Sequence, residues 1–370
     1  MRFNRRELLK ISGAAAGASL IGLPELAAAR TRVKQLKVLI LGGTGFIGPH
    51  FVHALTEAGH TVTLFNRGKR DPEAKSGVEQ LLGDRNDNLK SLEGRDWDVV
   101  VDNSGYTPGQ VRLSTALLQK RVKQYIFISS IAVYADFQNP PILENHRLAA
   151  IGDMPQDKLS EGNYGALKVL CEKVVQDAFG KRANIIRPTY ICGPGDFSDR
   201  FTYWPFRVAK GGVMLAPGTP DDPIQFIDVR DLADFVTRCA EHRIAGVYNL
   251  CTPPRWATMG KLLEASRKVT GADTTFKWAS AKFLIENKAA EDEMWASQEI
   301  PIWAPPSGQS LGHGLVSSKA AEKQGLRFRA LETTIRDTLE WQKGRPADKQ
   351  QLRSGLSAER EKELLGKLGA

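Results

Sequence analysis

Cysteine and the common metal-binding spacings are scarce in this sequence. Its 370 residues contain four cysteines, Cys171, Cys192, Cys239 and Cys251, which are widely separated and form no CxxC pair. The six histidines show neither HxxxH nor HExxH spacing. We therefore expect buried free thiols and no metal site. The net charge of +9 is not accompanied by a basic stripe interleaved with aromatic residues, so we expect no nucleic-acid partner.

Apolar runs long enough to cross a bilayer are also absent. Near the amino terminus, Arg5 and Arg6 precede an Ala- and Gly-rich apolar stretch at residues 11–23, and three alanines follow at 27–29. That stretch is well short of the ~20 residues that a membrane span needs. The segment 1–29 resembles the twin-arginine signal peptide of bacterial preproteins. We expect export to the periplasm or the cell exterior with no stable membrane insertion after cleavage; an uncleaved anchor is the alternative.

Short apolar runs alternate with helical patterns from residue 36 onward. The sequence predicts strands at 36–41, 61–66, 97–102, 124–129 and 183–187, a weaker strand at 78–82, and helices at 46–58, 110–119 and 162–178. Near-continuous apolar strands separated by helices indicate a parallel sheet that is covered on both faces. The expected fold is therefore α/β, a Rossmann-type doubly wound parallel sheet with a smaller C-terminal substrate-binding lobe.

Changes in composition and in the strand–helix pattern along the sequence predict the domain boundaries. Residues 36–187 form the predicted nucleotide-binding domain, whose sheet is continued by parts of 224–250. Loops rich in Gly and Pro dominate 188–223, which together with 251–342 forms the predicted lobe. A polar linker and a C-terminal helix make up 343–370.

Three glycines follow the first predicted strand. Gly42, Gly45 and Gly48 form a GxxGxxG pattern where a helix begins, and Phe46 and Ile47 lie between the last two. Glycines at this place allow a tight turn, and the helix N-terminus then offers N–H groups to a pyrophosphate. These five residues are predicted to bind a dinucleotide.

The residues at the end of the second predicted strand indicate whether the dinucleotide is NAD or NADP. The acid that usually binds the ribose hydroxyls is absent, and Asn66 is followed by Arg67, Lys69 and Arg70. Cations suit a 2′-phosphate, so we expect NADP rather than NAD. A solvated charged turn is the alternative interpretation.

Polar residues follow the next two strands of the predicted sheet. Asp84 comes after the third strand and is expected to contact the adenine. Asn103 and Ser104 follow the fourth strand and are expected to line the cofactor site.

A tyrosine and a lysine share one helix face farther along the chain. Tyr164 and Lys168 are four residues apart in a helical segment, and Ser130 lies at the carboxyl end of the fifth strand. A nearby ammonium and a nicotinamide cation would lower the pKa of the tyrosine from its ordinary ~10. Such a tyrosine could take or return a hydroxyl proton while hydride moves at the same carbon.

Five motifs together resemble a known superfamily. They are GGTGFIG at 42–48, SSIAVY at 129–134, YGALK at 164–168, RPTYICGPGD at 187–196 and IQFIDVRDLA at 224–233. This set is similar to the extended short-chain dehydrogenase/reductase superfamily, and within it to the NAD-dependent epimerase/dehydratase group. The resemblance implies that Ser130, Tyr164 and Lys168 are catalytic and that the three glycines bind phosphate. It also implies a possible homodimer.

Two departures from the family pattern reduce the number of candidate reactions and substrates. The resemblance implies an Asp-Glu pair directly after the catalytic hydroxyl residue in sugar-nucleotide 4,6-dehydratases, and this chain has Ile131 and Ala132 there. The acid and base for eliminating water are missing, which argues against that reaction. The turn at 66–69 is more typical of the reductase-like branches than of epimerases that hold NAD, and it argues against a UDP-sugar substrate.

The predicted lobe contains residues that could bind a substrate. Tyr203, Trp204 and Trp303 could stack on a sugar or a flat aromatic ring, and Arg200 could meet an anionic group. A place in the lobe core for the aromatics, and on the surface for the arginine, is the alternative.

These observations predict an NAD(P)-dependent oxidoreductase or epimerase for a small sugar-like or other hydroxy/keto compound. An exported enzyme has no NADPH pool to exchange with, so we expect a redox-neutral reaction with a retained cofactor. One alternative is an NADPH-dependent reductase of a ketone or an (iso)flavonoid-like aromatic. A second is a non-catalytic nucleotide-binding scaffold.

Overall fold

The structure is a computed structural model that describes residues 34–69, 77–160, 162–291 and 294–369. The predicted leader and Arg70 lie outside the described residues. The unit Gln35–Ala370 holds the strands β1 (Lys37–Leu41), β2 (Thr61–Asn66), β3 (Glu79–Leu82), β4 (Trp97–Asp102), β5 (Val122–Ile128), β6 (Ala183–Pro188), β7 (Tyr190–Cys192), β8 (Gly212–Pro217), β9 (Pro223–Ile224), β10 (Phe226–Asp228), β11 (Gly246–Leu250), β12 (Ala257–Thr258) and β13 (Thr274–Ala279).

The same unit contains the α-helices that cover these strands. They are α1 (Gly48–Glu57), α2 (Pro108–Leu118), α3 (Tyr164–Phe179), α4 (Tyr203–Val208), α5 (Val229–Glu241), α6 (Met259–Thr270), α7 (Ala281–Glu286), α8 (Lys319–Lys323), α9 (Leu331–Lys343) and α10 (Ala358–Gly369). Within the described part of the chain, none of the helices is long and apolar enough to cross a membrane.

Seven strands form one sheet in the order β11-β6-β5-β4-β1-β2-β3. All of its neighbouring strands run parallel. The order reverses beside β1, so the loops after β1 and β4 open at the same edge of the sheet. That crevice is where open α/β sheets bind their ligands.

Both faces of this sheet are covered by helices. On one face, α1 and α5 bury Phe51, Leu55 and Phe235 against β1, β2 and β4. On the other face, α2 and α3 pack Val111 and Val175 against the same sheet. The doubly wound parallel architecture predicted from the sequence is confirmed.

The smaller lobe has a core of its own. It is built from the pairs β7–β10, β9–β12 and β8–β13 with α4, α6, α7, α9 and α10. The Gly- and Pro-rich stretch 188–223 holds more regular structure than its composition predicts, because β8 pairs in parallel with β13, which lies far along the chain. The C-terminal helix begins after Ser357, whose hydroxyl accepts a hydrogen bond from the Arg360 amide (3.1 Å). Its Leu364 lies in the lobe core.

Candidate active site

The glycine loop joins β1 to α1 in a tight turn. Gly42 has φ +109°, and a Cβ there would lie 2.3 Å from Asn103 Oδ1. A Cβ on Gly48 would lie 2.3 Å from the Gly43 backbone. Ile47 precedes α1 without any side-chain cap, so the first N–H groups of the helix have no such acceptor. The loop and helix therefore form a cradle that fits an anionic pyrophosphate.

Asn103 and Ser104 lie directly beside this loop. The Ser104 hydroxyl donates to the carbonyl of Leu41 (2.8 Å), the residue before Gly42. The Asn103 Oδ1 atom is buried and has no hydrogen-bond partner among the described residues. A buried polar atom without a partner is costly unless a ligand supplies one. The residues that are present thus fit a bound nicotinamide dinucleotide.

A buried ion pair between Arg85 and Asp102 holds Ser104, which in turn contacts the residue before the glycine loop. The sequence did not predict this ion pair. Arg85 donates two hydrogen bonds to Asp102 and further ones to Ser114 (2.9 Å) and Ser104 (3.2 Å). The Tyr125 hydroxyl also donates to Asp102 (2.7 Å). Burial disfavours the charged guanidinium, but Asp102 outweighs it and the pKa of Arg85 is raised. The signal in the sequence was an acid closing the apolar strand β4.

The predicted ribose and adenine contacts lie in turns at the end of β2 and after β3. Asn66 Oδ1 accepts from the Gly68 amide (2.8 Å), and its amide nitrogen donates to Gln80 (3.2 Å). Arg67 is exposed. Asp84 Oδ1 accepts from the backbone amide (3.0 Å) and the side chain (2.8 Å) of Asn86. Asn66 and Asp84 thus shape their own turns, and their contacts with a nucleotide stay predictions.

Ser130, Tyr164 and Lys168 come together in one cavity. The cavity has a volume of about 770 Å³, and Phe46 and Asn103 also line it. The Ser130 side chain lies close enough to the Tyr164 phenol to oppose a rise in the pKa of Tyr164. The chemistry of the set is a phenol and a hydroxyl at the place where a substrate oxygen would bind, next to the nucleotide cradle.

A close contact between two backbones sets the position of Tyr164. Tyr164 is the first residue of α3, and a Cβ on the following Gly165 would lie 1.9 Å from the carbonyl oxygen of Ala132. The turn that contains Ala132 begins at Ser130, whose hydroxyl accepts from the Ala132 amide (3.1 Å). Gly165 therefore allows the helix to approach the serine turn, a role that sequence reasoning missed.

The charges around the catalytic set differ from the sequence expectation. Lys168 Nζ donates to the carbonyls of Ile128 (2.7 Å) and Gly105 (3.0 Å) and lies 4.1 Å from the centre of the Phe127 ring. Burial lowers the pKa of Lys168 to about 8. Burial also raises the pKa of Tyr164 to about 12. The protein by itself therefore does not lower the tyrosine pKa, and a lower value with bound nicotinamide stays a prediction.

One of the four predicted substrate-binding residues lines the cavity. Arg200 lies over the Tyr190 ring, 4.7 Å from its centre, and its Nε donates to Ser198 (3.2 Å). Tyr190 and Trp295 line the same cavity.

The other three predicted substrate residues are buried in the lobe core. These are Tyr203, Trp204 and Trp303. Trp204 donates to the carbonyl of Pro301 (2.9 Å), and Trp303 donates to Asp222 (2.8 Å). The prediction that they line the substrate site is wrong, because Tyr203 and Trp204 point from α4 into the lobe core and Trp303, which lies outside α4, is buried in the same core.

The described residues contain no cluster of three or more His, Cys, Asp or Glu side chains that could hold a metal ion. The four cysteines are buried free thiols.

Comparison with known proteins identifies the family. The model of the NAD dependent epimerase/dehydratase family matches residues 38–251, which is more than half of the chain. The chain belongs to this family. The match extends from β1 through the residue after β11, so it spans the glycine loop, Ser130, Tyr164 and Lys168.

Two proteins that are similar in sequence to this chain have different names. The chloroplast stem-loop binding protein of 41 kDa b from Arabidopsis thaliana is 29% identical over 256 residues, which is 64% of each chain. This chain thus spans less than two thirds of that relative. A UDP-glucose 4-epimerase from Azospirillum brasilense is 29% identical over 291 residues, 66% of this chain and 81% of the relative.

A solved structure with the same fold contains NAD+. The Bordetella bronchiseptica enzyme WbmH in complex with NAD+ superposes with a TM-score of 0.61 at 16% identity. The superposition covers 84% of this chain and 99% of that chain. At this identity the likeness concerns the fold.

Proposed function

We propose that this protein is an NAD(P)-dependent oxidoreductase or epimerase that acts on a sugar-like or other small hydroxy/keto compound. The observation that carries the proposal is the meeting of Ser130, Tyr164 and Lys168 in one cavity beside the glycine loop. The relatives named as UDP-glucose 4-epimerases support a reaction in which a carbinol is oxidised and reduced again.

The residues of the chain have distinct roles in this proposal. A bound nicotinamide ring would supply the hydride acceptor. The substrate hydroxyl would bind between Ser130 and Tyr164. Tyr164 would act as the phenolate, formed once a bound nicotinamide cation has lowered its pKa, and would take the hydroxyl proton as the carbon–hydrogen bond is broken. Lys168, held by two carbonyls, would keep a positive charge near that proton. If the same nicotinamide gave the hydride back to the other face of the carbonyl carbon, Tyr164 would return the proton to the oxygen, and the epimerisation would involve no net redox change.

The test is a pair of phenol deletions. Tyr164→Phe is expected to lower turnover by a factor of about 10²–10⁴, the usual worth of a general acid–base group, while nucleotide binding is retained. The matched control is Tyr248→Phe, which removes a phenol that donates to the Ala245 carbonyl outside the cavity (2.9 Å). Full turnover in Tyr164→Phe would overturn the proposal. No turnover in the unaltered, nucleotide-loaded protein would favour a scaffold, an alternative that the stem-loop binding relative supports.

We also propose a retained nucleotide, with NADP preferred over NAD. The absence of an acid at the end of β2 and the exposed Arg67 support NADP; the NAD+ bound to WbmH supports NAD. Purified protein should release a stoichiometric nucleotide on denaturation, identified by chromatography and absorbance. Arg67→Ala should weaken NADP binding and leave NAD binding unchanged. Tighter NAD than NADP binding in the unaltered protein would refute the preference, and an empty protein would favour a reductase that exchanges NADPH.

The substrate is proposed to be a small molecule met outside the cytoplasm, because the sequence carries a predicted twin-arginine leader. A homodimer is also proposed, and light scattering of the mature protein would test it.

A further inference from the structure

The loop after β7 connects the cofactor cradle with the smaller lobe. The ring of His50, in α1, donates to the carbonyl of Pro194 (2.8 Å). Phe46 and Phe197 pack edge to face with ring centres 6.3 Å apart. Residues 194–200 therefore lie along the cavity, between the glycine-loop helix and the substrate lobe.

This loop carries a buried carboxylate, Asp196, that is only half-satisfied. Its side chain is 3% exposed. Oδ1 accepts from both the amide (2.9 Å) and the hydroxyl (2.6 Å) of Ser198. Oδ2 is buried and has no hydrogen-bond partner among the described residues. Leaving a buried carboxylate oxygen unpaired is costly, so a partner from outside the described residues is expected.

Asp196 is the one carboxylate among the described residues that line the cavity, and its charge is not paired by Arg200. The guanidinium of Arg200 instead donates to Ser198 (3.2 Å) and lies on the Tyr190 ring. Burial raises the pKa of Asp196, although Ser198 and Arg200 oppose this shift.

Two aromatic side chains line the same cavity. Tyr190 and Trp295 both line it, and Trp295 is held edge-on by Phe137 (ring centres 5.4 Å apart) and His313 (5.6 Å). Aromatic rings and a carboxylate acceptor in one cavity suit a molecule with an apolar face and hydroxyl donors at its edge.

The charges in the cavity do not favour a diphosphate. Its cations among the described lining residues are Lys168, which is bonded to two carbonyls, and Arg200, whose Nε donates to Ser198 and whose guanidinium lies over the Tyr190 ring. Asp196 would repel a phosphate that approached Arg200. A nucleotide sugar brings two phosphates, which additional cations in the cavity would favour.

We infer that Asp196 is a substrate-binding residue whose Oδ2 accepts hydrogen bonds from the hydroxyls of a sugar that carries no nucleotide, packed on Tyr190 and Trp295. The inference rests on the proposed function and deepens it, because it specifies the substrate class of the same cavity. It assigns Asp196 to binding, with no part in the proton or hydride transfer.

The experiment is calorimetric titration of the purified, nucleotide-loaded protein with D-glucose, D-galactose, D-mannose and UDP-glucose. At least one free hexose is expected to bind, and Asp196→Asn is expected to weaken it about 10–100-fold, the usual worth of a hydrogen bond to a charged group. The matched control is Asp96→Asn, at an aspartate whose side chain is 75% exposed. Asparagine keeps an acceptor for Ser198, and an unchanged nucleotide content verifies that the variant folds.

Three results would overturn the inference: no binding of any hexose at millimolar concentration, equal hexose affinity in Asp196→Asn, or tighter binding of UDP-glucose than of every hexose. Failure of the proposed function has a different signature, because it is read from nucleotide content and from the turnover of Tyr164→Phe. A nucleotide-loaded, Tyr164-dependent enzyme that prefers UDP-glucose would leave the proposed function standing without the sugar inference.

Discussion

The ammonium group of Lys168 is buried, and burial disfavours its charged form. Its pKa is lowered to about 8 from an ordinary value of 10.5. Between these two values the unfolded chain binds more protons than the folded one, so this residue makes stability rise with pH through that window and fall as pH drops toward 8. The charge is retained because two carbonyls accept from it.

We predict that this pH dependence disappears when the ammonium is removed. Between about pH 7 and pH 9, the stability of the cofactor-free protein should rise relative to Lys168→Met by on the order of 1 kcal/mol. Thermal unfolding of both proteins across that range measures the difference, and the comparison cancels the titration of the buried thiols. A constant difference between the two proteins would contradict the lowered pKa.

Gly165 is the second residue whose effect can be isolated. Gly165→Ala places a Cβ 1.9 Å from the Ala132 carbonyl oxygen and should push Tyr164 away from Ser130. Turnover is expected to fall at least about tenfold, because small displacements of reacting groups are costly. Gly366→Ala in α10 is the control, since a Cβ there meets nothing within 4 Å. Both variants gain helix propensity, so equal kinetics in the two would show that the contact has no catalytic effect.

At the scale of elements, the segment between α9 and α10 holds the loop that carries Asp196. Arg345 donates to the buried Asp199 (2.7 Å), and the Arg353 amide donates to the same carboxylate (3.1 Å). The Ser354 hydroxyl donates to the Ser198 carbonyl (2.9 Å). The predicted polar linker therefore holds the loop 194–200 in place. The ion pair between Arg207 and Glu361 (2.6 Å) attaches the following helix, α10, to α4.

We predict that Arg345→Met raises the KM for substrate and leaves nucleotide binding unchanged. The substitution leaves Asp199 buried and unpaired, which should also cost about 3–5 kcal/mol of stability. Steady-state kinetics, nucleotide content and thermal unfolding would measure the three effects. Adding Asp199→Asn should recover part of the stability, and Arg121→Met, at a partly exposed surface pair, should have no effect. A normal KM in a destabilised Arg345→Met protein would mean that the segment stabilises the lobe without positioning the loop.

At the scale of the whole molecule, export and cofactor retention are linked proposals. Arg5 and Arg6 lie outside the described residues, and their role is predicted from the sequence alone. Replacing both with Lys should keep the protein in the cytoplasm, with its nucleotide still bound, because the twin-arginine route transports folded proteins. Cell fractionation followed by nucleotide analysis of each fraction tests this. Unchanged export of the double variant would refute the leader assignment.

Local pattern determined much of the fold and the centre of the site. Strand and helix periods predicted six of the seven strands of the sheet, and the seventh, β11, lies within the stretch 224–250 that was predicted to continue the sheet. The glycine loop and the Tyr164–Lys168 pair are set by neighbours a few residues apart, so the sequence alone contains them. The same holds for the Ser357 cap of α10, which depends on one turn of helix.

The tertiary structure decided which side chains face the cavity and which are buried. Tyr203, Trp204 and Trp303 were predicted at the site because they are aromatic. Aromatic residues are equally suited to a core, and only the packing of the lobe distinguishes the two possibilities. Arg85–Asp102, Gly165–Ala132 and Arg345–Asp199 join segments that are distant in sequence. The unpaired oxygen of Asp196 is likewise a property of its surroundings. Such contacts depend on how segments distant in sequence pack against each other, and a local periodicity of the sequence does not specify that packing.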